Sequence, residues 1–301
     1  MAAPSAASAA VKVGISDQQA STFTNPLYAP LKLKVARFIT PYDVTKDPVE
    51  KAKLESWLNA ARAAKQEVLV SFEHSRRGAR YKHTPSPSEF RKEMLAFRKA
   101  YGKKVQDISP WNEVNVCQAP GRTEGQPSKI CKSKTGPKIV AGYYKTARSV
   151  FKGKKIVGID ILDGVNVGGA VNYVRQFKKY ARPFPTYWGI HNYSDTNRGS
   201  TSRTSRLIRT IGSSKAQIWL TETGGQLKLR GKEAGEAKAA KALECMFSMP
   251  KKFKQITRLY IYQFNGAPPS NDFDAGLISV DNQKRLGYSV VQNRTSKKCS
   301  P

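Results

Sequence analysis

Residues 34–72 read KVARFITPYDVTKDPVEKAKLESWLNAARAAKQEVLVSF, and this stretch decides the fold class. It opens on one β-branched run, 34–40, and closes on another, 67–72. Between them Pro48 opens a helical pattern in which Ala52, Leu54, Leu58 and Ala61 recur at helical spacing before Val68 starts the next run. Strand, helix and strand in that order imply parallel pairing through a right-handed crossover. Working outward, the alternation continues to both ends. Strand candidates lie at 11–15, 34–40, 67–72, 105–109, 155–161, 186–191, 217–221 and 257–262. Helical patterns lie at 48–65, 88–101, 139–151, 169–179, 201–211, 232–248 and 284–293. Eight such units in 301 residues predict an α/β protein with a single (β/α)8 barrel over 11–301, behind a disordered tail at 1–10. An open doubly wound sheet competes, but the first βα turn lacks G-x-G-x-x-G and no Walker A motif occurs.

The long connections, 75–87, 117–138, 193–202, 223–232 and 264–276, all follow strands. A barrel gathers such loops on its C-terminal face, where active sites are built. The 75–87 loop holds four basic residues and no acidic one, and 117–138 holds five basic and one acidic, so a positive rim is expected. The whole chain carries 52 basic and 22 acidic residues, a net charge of +30. A charge of that size favours adhesion to polyanions such as nucleic acid, anionic lipid or acidic polysaccharide, and equally fits a solubility or habitat adaptation. Its basic residues are dispersed and no helix-turn-helix, RNP or zinc-finger pattern occurs, so no specific nucleic-acid partner is expected. No apolar run is long enough for a membrane span. The small residues of the opening segment fit the mature side of a removed export signal, or a plain tail.

Cys117 and Cys131 bracket one polar loop and suggest a short local bridge. Cys245 in a late helix and Cys299 near the C-terminus would form a second bridge tying down the tail. Free buried thiols are the alternative, while the absence of a C-x-x-C or Cys/His cluster argues against zinc. Disulfides would fit a secreted, extracellular protein.

Two carboxylates stand out by position. Glu113 follows the fourth strand candidate in Ser109-Pro-Trp-Asn-Glu-Val-Asn115, and Glu222 ends the seventh in Trp219-Leu-Thr-Glu-Thr-Gly-Gly225. A glutamate at a strand's C-terminal end loses solvation unless it faces a polar cleft. Strands four and seven stand across a barrel mouth, so the two carboxyls approach the ~5–5.5 Å separation of double-displacement glycosidases. One would keep a proton for the leaving group while the other attacks.

With W-N-E after strand four and L-T-E-T-G after strand seven, the sequence resembles clan A glycoside hydrolases, near families 5 and 39, over essentially the whole barrel. The resemblance implies a retaining β-glycosidase with Glu113 as acid/base, Glu222 as nucleophile and Asn112 on the sugar 2-hydroxyl. It also implies that Arg37 on strand two hydrogen-bonds the nucleophile, that His74 contacts substrate, and that His191 or Tyr193 touches the nucleophile and the sugar. Trp111, Tyr262 and Phe264 are placed to supply aromatic platforms for sugar faces. Trp188 and Trp219 alternate out of phase with His191 and Glu222 and should pack against helices, as should Trp57. Asp272 and Asp274 read as solvated loop acids. The chain departs from the clan at strand eight, where Tyr260-Ile-Tyr-Gln-Phe-Asn265 offers no tryptophan, which leaves the sugar open. The expected partner is a carbohydrate, including an anionic polysaccharide, handled by a monomer with no metal or organic cofactor. A non-catalytic glycan-binding barrel and an envelope-associated polyanion binder are the competing readings.

Overall fold

The computed structural model describes residues 10–118, 125–164 and 166–299, so the expected tail lies, but for Ala10, outside the described residues. In chain order the strands are β1 (Lys12–Ser16), β2 (Val35–Pro41), β3 (Glu67–Glu73), β4 (Asp107–Ser109), β5 (Lys155–Leu162), β6 (Tyr187–His191), β7 (Gln217–Thr223), β8 (Lys228–Leu229), β9 (Lys232–Glu233), β10 (Ile256–Ile261) and β11 (Phe273–Asp274). The helices are α1 (Pro48–Ala63), α2 (Pro87–Tyr101), α3 (Ser128–Cys131), α4 (Gly136–Val150), α5 (Val167–Tyr180), α6 (Tyr193–Thr196), α7 (Ser202–Ile211), α8 (Glu236–Lys252) and α9 (Leu286–Asn293). Strands β1 to β7 and β10 close into one parallel barrel, a (β/α)8 architecture. The short strands β8, β9 and β11 form a separate antiparallel sheet above its mouth, which the sequence pattern did not predict.

Local chemistry sets the boundaries. Asp47 caps α1 by accepting from the amides of Val49 and Glu50 at 3.1 Å, with Pro48 in the first turn. Ser86 caps α2 by accepting from the Glu89 amide. The apolar faces so presented bury Trp57, Phe90, Phe97, Tyr143 and Phe177 between helices and strands.

The barrel interior is layered. Val35, Leu69, Val157, Trp219 and Tyr260 fill its lower part as a core of their own. Beneath them Arg258 pairs with Asp107 at 2.6 Å and with Glu67, and its guanidinium lies 3.9 Å from the Trp219 ring centre. The expectation for Trp219 is therefore wrong: it fills the barrel rather than packing on helices. The cause is an extra residue in β7. Gly189 pairs with Trp219 but His191 pairs with Glu222, and the β10 ladder slips at the same place. The bulge resets the alternation, so Trp219 and Glu222 both face inward. Trp188 and Trp57 pack outside the barrel as expected, Trp188 against Phe177 and Phe184, Trp57 against Phe23 and Phe38.

Both expected disulfides form, Cys117–Cys131 and Cys245–Cys299. The first secures the loop after β4, and the second fastens the C-terminal segment to α8. Among the described residues no helix is long and apolar enough to cross a membrane.

Candidate active site

The site rests on a buried carboxylate. Asp160 on β5 accepts from Ser109 Oγ at 2.5 Å, Ser71 Oγ at 3.2 Å and Thr221 Oγ1 at 2.6 Å, and it lies 3.5 Å from Arg37. Room for it exists because β6 carries Gly189 alongside: a Cβ there would stand 1.7 Å from Asp160 Oδ1. Burial alone would raise the Asp160 pKa, but Arg37, His191 and the hydroxyls outweigh it and hold the group below its usual range.

Arg37 is fully buried at the centre of this layer. It donates to Ser71 Oγ at 2.9 Å, Ser16 Oγ at 3.1 Å, Asn112 Oδ1 at 2.6 Å and Glu222 Oε1 at 2.6 Å. Burial disfavours its charge, yet Glu222 and then Asp160 more than compensate and raise its pKa. Glu222 receives a second donor, Tyr193 Oη at 3.1 Å from Oε2. Burial first, and the Glu222 charge second, push the Tyr193 phenol well above its ordinary value, so it stays a donor.

Glu113 enters from the opposite side. Its φ of 40° turns the chain out of the β4 direction and into the cleft. Its Oε1 lies 3.0 Å from His191 Nδ1, which is also 3.7 Å from Glu222 Oε2. Burial would lower the His191 pKa, but Glu222 and Glu113 together raise it above 6.5. One carboxylate oxygen of each glutamate and a ring nitrogen of His191 lie within 4.8 Å of one another. Among the described residues this is the one trio close enough to share a metal ion. Arg37, 2.6 Å from Glu222, already places a fixed positive charge beside it, which opposes a second cation there.

The cleft has two arms that meet at Glu113. One, of about 590 Å³, runs over the β3 and β4 loops past His74, Tyr81, Asn112 and Gln126. The other, of about 860 Å³, runs past Glu222, Tyr193, Tyr262 and Phe273 toward the β8–β9 hairpin. The structure thus brings together Arg37, Asn112, Glu113, His191, Tyr193 and Glu222, with His74 and Tyr262 on the cleft walls.

Two expected platforms are not there. Trp111 is fully buried, stacked 5.0 Å from Tyr143 and 6.0 Å from Tyr42, with Nε1 donating to Gln126 Oε1. Protein rings occupy the faces a sugar would need. Phe264 is equally buried, edge-on to Tyr28, with its amide held by Asp17 Oδ2 at 3.0 Å. Phe273, missed in a loop whose sequence stands out only for its acids, joins Tyr262 on the cleft wall and packs against it and Tyr193. One of those acids, Asp274, is buried against Arg285 at 2.8 Å rather than solvated. Asp160 was also missed, although a carboxylate within the apolar run KIVGIDI was a legible signal.

The positive rim is redistributed too. In the 75–87 loop, Arg76 pairs with Glu50 and Glu73, Arg77 and Arg80 with Asp43, and Arg80 and His83 with Glu89. That charge is spent on holding the loop. The 117–138 loop lies partly outside the described residues.

The fold is shared with solved clan A glycoside hydrolases. A family 39 glycoside hydrolase from Bacteroides cellulosilyticus WH2 aligns with a TM-score of 0.67 at 15% identity, covering 96% of this chain. The present chain spans 64% of that protein's length. GH5_18 from Streptomyces cattleya, solved in complex with GlcNAc, aligns at 0.67 and 11% identity over 97% of this chain and 82% of its own. A psychrophilic family 10 endo-β-1,4-xylanase aligns at 0.68 and 14% identity over 94% and 96%. At such identities the likeness is one of fold. No protein-family model and no curated protein matches the chain in sequence.

Proposed function

We propose that the protein is a retaining β-glycosidase acting on a polysaccharide or glycoconjugate, with Glu222 as nucleophile and Glu113 as acid/base. The observation that carries this reading is the approach of the two carboxylates to within 4.8 Å. Carboxyls that activate water for inversion stand ~6.5–9.5 Å apart, so an approach this close supports retention.

Each neighbour then has a task. Arg37 and Tyr193 donate to opposite oxygens of Glu222, which keeps the carboxylate ionised and aimed. Glu222 attacks the anomeric carbon while Glu113 gives its proton to the departing glycosidic oxygen. The same Glu113 then takes a proton from water as water displaces Glu222 from the sugar, so configuration is retained. His191 sits between the two carboxylates and steadies both. Arg37 fixes the Oδ1 end of Asn112, leaving its Nδ2 hydrogens for a sugar hydroxyl. Tyr262 and Phe273 offer apolar surface to the sugar's C–H face. A xylanase specific for β-1,4 bonds among the structural neighbours supports a β-linked substrate. The two disulfides support export to an oxidising compartment, where the enzyme works as a monomer.

The test is a panel of 2-deoxy-2-fluoro β-glycosides with good leaving groups, followed by peptide mapping. Glu222 is expected to carry the label. A label on a different residue, or an inverted first product by NMR of a cleaved glycan, refutes the assignment.

A further inference from the structure

The charge along the cleft is lopsided. On the β3 side Arg76, Arg77 and Arg80 are taken up by Asp43, Glu50, Glu73 and Glu89. On the other side Arg198, Arg230, Lys232 and Lys238 line the larger arm together with Glu222 and Tyr193. All four are exposed, and none has an ion-pair partner among the described residues. They come from three separate pieces of chain: the turn after α6, the β8–β9 hairpin and the first turns of α8. Arg230 and Gly231, with φ of 51° and 72°, form the tight turn that carries Arg230 to the hairpin tip. The neighbouring Lys228, by contrast, is spent on Glu233.

Four unpaired cations around one side of a cavity repel one another. Relief comes from an anion bound among them. Simple adhesion to polyanions would need no such gathering inside the cleft, since the +30 charge is spread over the whole chain. We propose that this arm binds an anionic stretch of glycan, a β-linked chain bearing carboxylate or sulfate groups, and so selects acidic polysaccharide as substrate. The inference rests on the glycosidase reading for its catalytic consequence, but not for the binding itself. The carbohydrate's C–H face meets Phe273 and Tyr262 while its anionic groups meet the cations beside them, two of which sit on the hairpin that pairs with the strand of Phe273.

Calorimetry on the full-length Glu222→Gln protein tests it with matched tetrasaccharides that differ only in charge. Mannuronate and manno-oligomers, glucuronate and gluco-oligomers, and a sulfated and an unsulfated gluco-oligomer form the pairs. The acidic member of at least one pair is expected to bind about 10-fold tighter or better, with affinity falling as salt rises. Which pair responds separates carboxylate from sulfate. Arg198→Gln/Lys232→Gln/Lys238→Gln should abolish that preference. Lys92→Gln/Lys99→Gln/Lys103→Gln, which removes the same charge on and just after α2, should keep it within about twofold. Equal or weaker binding of the acidic member in every pair overturns the proposal, as does an equal loss in both triple variants. Acidic binding without any fluoro-glycoside labelling of the wild type would remove the glycosidase reading and leave the anion site standing. Labelling without acidic preference would do the reverse.

Discussion

Arg37 Nη1 and Glu222 Oε1 lie 2.6 Å apart, although 185 residues separate them in the chain. The same guanidinium reaches Asn112, so one buried cation sets the positions of groups from β7 and from the segment after β4. Arg37→Met keeps the length and removes the charge, leaving Asp160 and Glu222 without their cation. Breaking a buried pair in this way costs about 3–5 kcal/mol. Urea unfolding should show that loss, and turnover should fall by about 100-fold or more as the nucleophile loses its main donor. Turnover within twofold of wild type would contradict the role given to Arg37.

Glu113 and Glu222 should fail differently. In Glu113→Ala, a dinitrophenyl β-glycoside still forms the glycosyl-enzyme, because its leaving group needs no proton. Hydrolysis of that intermediate should slow by about 10²–10⁴-fold. Azide, which needs no general base, should restore the rate and yield a β-glycosyl azide. Absence of azide rescue would remove Glu113 from the acid/base role.

His191 makes a pH-dependent contribution whose sign follows from its environment. Burial alone would lower its pKa, but Glu222 and Glu113 raise it above 6.5. The folded state therefore holds the proton more tightly than the unfolded chain does. Its stabilising effect is complete below pH 6.5 and is lost as pH rises through the folded-state value. The melting temperature of wild type should fall more between pH 6 and pH 9 than that of His191→Asn. Parallel curves for the two proteins would show that the imidazolium contributes nothing.

The Cys245–Cys299 bridge closes a separation of 54 residues. In the chain-entropy account a closure of that length is worth about 4 kcal/mol. Cys245→Ser/Cys299→Ser should lower stability by that order while leaving turnover at low temperature near wild type, since the bridge lies at α8 and the tail. Thermal unfolding and an aryl-glycoside assay together check it.

The barrel was readable because its signals are local. Asp47 and Pro48 start a helix, Val68 starts a strand, and repetition of that unit closes the sheet. Glu113, Glu222 and Arg37 were readable because a charge at a strand's end or within its apolar run has few places to go. The aromatic assignments were not, because they depend on which way a side chain leaves after regular pairing stops. Beyond Ser109 strict alternation no longer applies, and Trp111 folds back onto Tyr143 while Asn112 and Glu113 turn inward. Loop charges failed for a related reason: Arg76, Arg77 and Arg80 find Glu50, Glu73, Asp43 and Glu89 from other segments, which residue counting within one loop cannot see.

The extra residue in β7 separates two jobs that a regular strand would couple. Below it, Trp219 packs the floor; above it, Glu222 faces the cleft. Were β7 to pair without that bulge at its present length, the three-residue spacing would swing the carboxylate toward the helical shell. Such a chain keeps its lower core and its outward appearance, and yet has lost the proposed nucleophile. Loss of activity in this protein can therefore arise without loss of fold from a change that alters no catalytic side chain.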